Sequence, residues 1–237
     1  ALEARLATLA ADGLRGVNVT IPHKEAVFAL ATERDQAAQK IGAVNTVIFR
    51  KSGGFLGINT DAPGFVASLQ TATAPWAGGP AMVLGAGGAA RGVVYGLIKA
   101  GVREIRIVNR TLERAEALAR DMSALGASLV PLPWDKISEQ MIDLALLVNA
   151  TSLGLAGGRP LELDLAPLAP GALVTDIVYA PLETDLLRAA KKAGPATVDG
   201  LGMLIHQARS AFASWFGILP AADSGLKAAL EAAPEAM

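Results

Sequence analysis

Cysteine is absent from the 237 residues, which excludes disulfides, thiolate chemistry and cysteine-held metals. Histidine is almost as scarce. His23 and His206 are too few for a zinc dehydrogenase or metallohydrolase unless carboxylates supply the other ligands, so no metal is expected. Charged residues make up 18% of the chain and nearly balance, with a formal net charge of −1. That leaves no basic footprint for nucleic acid. No long apolar run exists either: the longest apolar region, 81–102, is broken by Arg91, Lys99 and several glycines, so no membrane span is expected. The N-terminal Ala-Leu-Glu-Ala-Arg lacks the charged-then-apolar pattern of an export signal. These absences together predict a cytoplasmic protein whose partner is a small molecule.

Hydrophobic residues are plentiful, at 52%, which excludes a disordered chain and supplies a core for one large or two small domains. The middle of the chain alternates strand-like and helix-like segments. Strands are predicted at 81–84, 104–108, 129–132, 144–148, 172–178 and 196–198, with helices at 89–100, 112–125 and 184–193. Such a rhythm predicts a doubly wound parallel sheet of Rossmann type, covered by helices on both faces. The first sixty residues read differently: a helix over 2–11, a strand over 16–20, and a helix opened by Pro22. Two more strands, 44–49 and 55–59, flank a hairpin turn at Lys51-Ser-Gly-Gly54. The Thr-, Ala-, Pro- and Gly-rich stretch 71–80 reads as a connector. Two α/β domains are therefore expected. A substrate domain of residues 1–70 has too few strands for a free-standing core and needs helices from 204–237 to return to it; residues 71–203 form the nucleotide domain.

Gly85, Ala86, Gly87, Gly88, Ala89 and Ala90 follow the first strand of that second domain and satisfy G-x-G-x-x-G/A. A tight turn at Gly85, close approach of backbone to pyrophosphate at Gly87, and a helix N-terminus offering free N–H groups all demand small residues here. The next strand ends in Asn109-Arg110-Thr111, with Arg114 one turn later, where an NAD site would carry a carboxylate. Guanidinium groups pair with a 2′-phosphate, so NADP is expected over NAD; the alternative is a helix cap beside solvated arginines. Tyr95 and Lys99 match a Tyr-x-x-x-Lys dehydrogenase pair, but they lie on the helix after the phosphate loop and read as ordinary helix surface.

Two segments of the first domain carry candidate chemistry. In Gly16-Val-Asn-Val-Thr-Ile-Pro-His-Lys24 the lysine falls in a first helical turn, where the dipole disfavours a cation, a placement suited to giving up a proton. In Asn59-Thr-Asp61-Ala-Pro63 the aspartate sits between a strand and a helix opened by Pro63. Taken alone, Lys24 reads rather as a solvated lysine and Asp61 as an N-cap. Two strand-to-helix junctions at one sheet edge would bring them together, where open α/β sheets bind ligands.

Asn18-Val-Thr-Ile-Pro-His-Lys24, Gly42-Ala-Val-Asn45-Thr, Asn59-Thr-Asp61, the Gly85 loop, Asn109-Arg-Thr, Asn149-Ala-Thr-Ser152, Asp176-Ile-Val-Tyr179, Asp199-Gly-Leu-Gly-Met203 and Gln207 occur in order. This series, spread over essentially the whole chain, resembles the shikimate dehydrogenase family. The resemblance implies reversible reduction of 3-dehydroshikimate to shikimate with NADPH, with Lys24 and Asp61 as the catalytic pair. Thr20, Asn45, Tyr179 and Gln207 would hold the substrate. Gly85 to Ala89 would cradle pyrophosphate, while Asn109, Arg110, Thr111 and Arg114 hold the 2′-phosphate. Thr151, Ile177, Gly200 and Met203 would position the nicotinamide half. Members of the family begin with a strand bearing two carboxylate-binding serines, then a helix and a strand; this chain is expected to lack that segment. The competing readings are quinate/shikimate dehydrogenase using NAD and a non-catalytic NADP-binding relative. A monomer or homodimer is expected.

Overall fold

The computed structural model describes residues 1–232. Its first part contains α1 (Leu2–Ala11), β1 (Gly16–Asn18), α2 (Lys24–Leu30), β2 (Glu33–Arg34), α3 (Gln36–Ile41), β3 (Thr46–Phe49), β4 (Phe55–Ile58) and α4 (Asp61–Leu69). The four strands form one mixed sheet in the order β1-β3-β4-β2, with β2 parallel to β4 and the other pairs antiparallel. The hairpin lies where its turn residues put it, with Phe49 opposite Phe55. Pro22 does not open α2. It lies in a turn closed by the His23 N–H donating to the Thr20 carbonyl (2.9 Å), and the helix starts at Lys24. Asp61 likewise opens α4, two residues before Pro63. Neither β2 nor α3 was anticipated, because a two-residue strand carries no period. Its sequel did carry a signal: Asp35 caps α3 by accepting the Ala38 N–H (2.7 Å), and Gly42 ends it at φ +72°.

The second part contains β5 (Ala81–Leu84), α5 (Gly88–Lys99), β6 (Glu104–Asn109), α6 (Leu112–Met122), β7 (Ser128–Pro133), β8 (Leu146–Asn149), β9 (Leu173–Asp176), α7 (Asp185–Ala193) and β10 (Ala196–Val198). All six strands run parallel, in the order β10-β9-β8-β5-β6-β7. The sheet reverses direction of growth between β5 and β8, placing the Gly85 loop at the switch point. Every residue of β5, β8 and β9 is buried, as expected when helices cover both faces.

α8 (Leu201–Phe216) turns back onto α4, where Gly64 lies so close to Gln207 that a Cβ would meet its backbone N at 2.9 Å. Its last turn reaches the first sheet, with the Trp215 indole N–H donating to the Val47 carbonyl (2.9 Å). α9 (Ser224–Ala232) has no buried residue. Residues 233–237 of the return expected for 204–237 lie outside the described residues. No helix among the described residues is long and apolar enough to cross a membrane.

Arg106 is buried mid-strand in β6 and is held by both Asp143 oxygens (2.6 and 2.9 Å) and by Glu104 (2.9 Å). The guanidinium beside it holds the Asp143 carboxyl below the usual carboxylate range. A lowered carboxyl contributes stability that is present above the ordinary value and fades as pH falls through the lowered one. Asp143 is more than half exposed, so water screens the pair. Asp143→Asn is expected to cost about 0.5–1 kcal/mol at pH 7, or roughly 1–4 °C in thermal midpoint. The gap from wild type should close in acid below the ordinary carboxylate range. A gap that widened there would contradict this reading.

Candidate active site

Strand register assembles the first half of the site. Asn18 pairs with Thr46, and Thr46 pairs with Ile58, so the end of β1, the start of β3 and the end of β4 share one edge. The loop after β1 brings Lys24 back over that edge, and α4 begins there with Asp61. The two junctions are not adjacent strands, since β3 lies between them, yet Lys24 Nζ reaches Asp61 Oδ2 at 2.7 Å. The Asp61 side chain is buried, 1% exposed, and that of Lys24 is mostly covered, at 11%.

Asn45, immediately before β3, joins the parts. Its side-chain amide N–H group faces Thr60 Oγ1, Asp61 Oδ1 and Gln207 Oε1, each at 2.9 Å, and its Oδ1 accepts the Thr60 N–H (2.7 Å). The Asp61 carboxylate thus has Lys24 on one oxygen and Asn45 on the other. Around this centre lies a cleft of about 570 Å³. Thr20, Lys24, Asn45, Asp61, Thr151, Ile177, Tyr179, Gly200, Met203 and Gln207 all line it.

A second cleft of about 250 Å³ runs along the carboxyl edge of the parallel sheet. Gly85 to Ala89, Asn109, Arg110, Arg114 and Thr151 line it, as do Lys24 and Glu25. Thr111 does not. Its carbonyl accepts the Asn109 side-chain N–H (2.8 Å), which shapes the turn between β6 and α6. Ile21, Lys24, Ala89, Thr151 and Ser152 border both clefts, so the two meet around the lysine. Tyr95 and Lys99 line neither; Tyr95 packs against the core.

The second cleft has the features a dinucleotide needs. Gly85 is held at φ +111°, and a Cβ there would meet the Ala150 carbonyl oxygen at 2.9 Å, whereas the Cβ direction of Gly87 opens onto free space. No side chain caps α5, so its first N–H groups remain available to an anion, and Arg110 and Arg114 bring positive charge to the far end. Small residues also couple the clefts. A Cβ on Gly88 would lie 2.8 Å from Lys24 Cβ, and one on Gly92 would lie 3.1 Å from Asp61 Cβ. α5 therefore carries the glycine loop at its start and packs on the Lys24–Asp61 pair along its side.

A buried network missing from the candidates holds the shared wall. Asp176, the last residue of β9, accepts from Asn149 Nδ2 (2.9 Å), the Val178 N–H (3.0 Å) and the Thr184 hydroxyl (2.8 Å). Asn149 Oδ1 in turn accepts the Thr151 N–H (3.1 Å) and hydroxyl (2.7 Å). Burial pushes the Asp176 carboxyl up from its ordinary value, while its three donors pull it down. Both residues were visible as polar ends on apolar strands, a signal that could have marked them. Glu25 and Trp134, which also line the nucleotide cleft, offered no such signal. Among the described residues no cluster of His, Cys, Asp and Glu could hold a metal.

Comparison with known proteins agrees with this arrangement. Residues 1–47 match the shikimate dehydrogenase substrate binding domain, 68–154 the shikimate / quinate 5-dehydrogenase family, and 200–230 the shikimate 5'-dehydrogenase C-terminal domain. Shikimate dehydrogenase (NADP(+)) of Rhodospirillum rubrum is 51% identical over 99% of this chain and 84% of its own length. The Thermus thermophilus shikimate 5-dehydrogenase solved with NADP(H) and shikimate is 41% identical with a TM-score of 0.80, covering 93% of this chain and 80% of that one. Quinate dehydrogenase from Corynebacterium glutamicum, solved with NAD, is 33% identical with a TM-score of 0.84, over 93% of this chain and 79% of that one. With half its residues shared along nearly its full length, and with three matching segments in the order of its two clefts and returning helix, the chain belongs to the shikimate dehydrogenase family.

Proposed function

We propose that this chain catalyses the reversible, NADP-dependent reduction of 3-dehydroshikimate to shikimate. The observation that carries the proposal is the meeting of the two clefts at Lys24, whose ammonium is already bonded to Asp61 (2.7 Å). Residues 1–70 with 204–232 form the substrate domain in this reading, and residues 71–203 the NADP domain; 233–237 lie outside the described residues.

When bound, the nicotinamide would supply hydride chemistry at the carbonyl carbon, in either direction. Lys24 gives a proton to the oxygen as negative charge develops on it, and takes that proton back when the alcohol is oxidised. Asp61 keeps the ammonium aimed at the oxygen and accepts a hydrogen bond from a ring hydroxyl. Thr20, Asn45, Tyr179 and Gln207 bind the other hydroxyls and the carboxylate. Gly85 to Ala89 take the pyrophosphate. Asn109, Arg110 and Arg114 receive the 2′-phosphate, with Thr111 contributing through the turn it forms with Asn109. Thr151, Ile177, Gly200 and Met203 bound the space where the nicotinamide and the substrate ring meet. The enzyme works in the cytoplasm as a monomer or homodimer.

Initial rates of NADP reduction with shikimate, followed at the nicotinamide absorbance, test this directly, with quinate and NAD as comparisons. Turnover that needs both shikimate and NADP is expected. Faster turnover with quinate and NAD would move the chain to the rival specificity, and NADP binding without turnover on any of the four pairs would make it a non-catalytic relative.

A further inference from the structure

Arg114 and Glu25 lie 89 positions apart in sequence yet face each other across the nucleotide cleft, guanidinium to carboxylate at 3.3 Å. Arg114 stands in the first turn of α6, beyond the end of β6. Glu25 is the second residue of α2 and directly follows Lys24. Both line the same cleft, and both are about half exposed. The pair therefore spans from the reacting end of the first sheet to the phosphate end of the second.

We propose that Glu25 is a specificity-determining residue that competes with the 2′-phosphate of the cofactor for Arg114. The inference rests on the reading that Arg114 receives that phosphate. A half-exposed single-point ion pair is weak and exchanges readily. A phosphomonoester takes a guanidinium through two parallel hydrogen bonds and carries more charge than a carboxylate, so it displaces Glu25. The carboxylate is then left beside a dianion without its cation. Both effects oppose NADP. Neither acts on NAD, whose ribose carries a hydroxyl at that point and leaves the ion pair undisturbed. Glu25 thus holds the preference for NADP below what the arginines alone would give, and keeps NADP release from being slowed by an unopposed phosphate clamp.

Calorimetric titration of the whole chain with NADP, 2′,5′-ADP, NAD and 5′-ADP, without substrate, reads this out. Glu25→Gln is expected to tighten NADP and 2′,5′-ADP by roughly threefold to tenfold, with NAD and 5′-ADP changed less than about twofold. The gain should shrink at high salt, because the groups are open to solvent. Arg114→Gln serves as the second variant and should weaken NADP and 2′,5′-ADP while sparing NAD. In that background Glu25→Gln should lose most of its benefit. If Arg114→Gln leaves the NADP-to-NAD ratio unchanged, the assignment of Arg114 to the phosphate is wrong. If Arg114→Gln lowers that ratio but Glu25→Gln fails to raise it, or tightens all four ligands alike, the competition by Glu25 is overturned while the assignment of Arg114 stands.

Discussion

Replacing Lys24 with alanine is expected to lower kcat by about two to four powers of ten while NADP affinity changes less than about threefold. On the proposed mechanism the loss follows from removing the group that gives a proton to the substrate oxygen. Affinity is expected to survive because the glycine loop packs on Lys24 Cβ, which alanine retains. The same change has a second effect that must be separated from the first. Asp61 is fully buried, and among the described residues Lys24 is its only cation, so the variant leaves a carboxylate with Asn45 as its remaining hydrogen-bond donor there. Stranding a buried charge costs about 3–5 kcal/mol. A fall of roughly 6–20 °C in thermal midpoint is therefore expected for a chain of this size. Combining Lys24→Ala with Asp61→Asn removes the stranded charge and keeps an oxygen facing Asn45. The double variant should regain most of the stability and none of the turnover. Recovery of turnover in the double variant, or near-normal kcat in the single one, would remove Lys24 from the proton route.

Asp176→Ala is expected to lower stability by about 2–4 kcal/mol and to raise KM for both NADP and shikimate. The aspartate touches neither ligand in the proposed site. It fastens Asn149, which fastens Thr151, and it fixes Val178 at the base of the segment carrying Ile177 and Tyr179. Thr151 borders both clefts, so one loosened wall disturbs both ligands. Asp176→Asn is the control: it keeps an acceptor for Asn149 and Val178 and can donate to the Thr184 hydroxyl, so its cost should be about 1 kcal/mol. The pH dependence separates charge from shape. Burial raises the folded carboxyl above its ordinary value, so its favourable contribution is complete below that ordinary value and lost as pH rises through the raised one. Wild type should therefore gain on Asp176→Asn, in thermal midpoint, as the solution is acidified through that interval. A constant difference across it would mean that the carboxylate is not strained by burial, and unchanged KM values in the alanine variant would remove Asp176 from the support of the site.

Much of this was legible in the chain itself, for reasons that differ between segments. The strand–loop–helix at 81–99 is local: a central strand must be apolar throughout, a phosphate loop must be small, and the helix after it must carry apolar residues at helical spacing. Those requirements act within one turn or one strand, so they survive in the sequence. The absence of a carboxylate after β6 is equally local. By contrast, β2 takes its conformation from pairing with β4 across more than twenty residues, and nothing in Glu33-Arg34 alone specifies a strand. α2 and α4 start at Lys24 and Asp61 rather than at the prolines for a related reason: proline permits a helical first turn, but the chain path into the site decides whether it is used.

The residue types of the site, and their order, were thus settled by the sequence: a lysine and an aspartate after strand ends, a glycine loop, and arginines beyond the second strand of the parallel sheet. What only the tertiary structure decided is which of them touch. β3 runs between the Lys24 and Asp61 segments and aligns their ends by antiparallel register, and α8 returns to set Gln207 against Asn45. Glu25 meets Arg114 only because α2 and α4 pack closely on the glycine face of α5. Contacts of this kind depend on register and on how closely backbones can approach, quantities summed over many residues, and no single position in the chain records them.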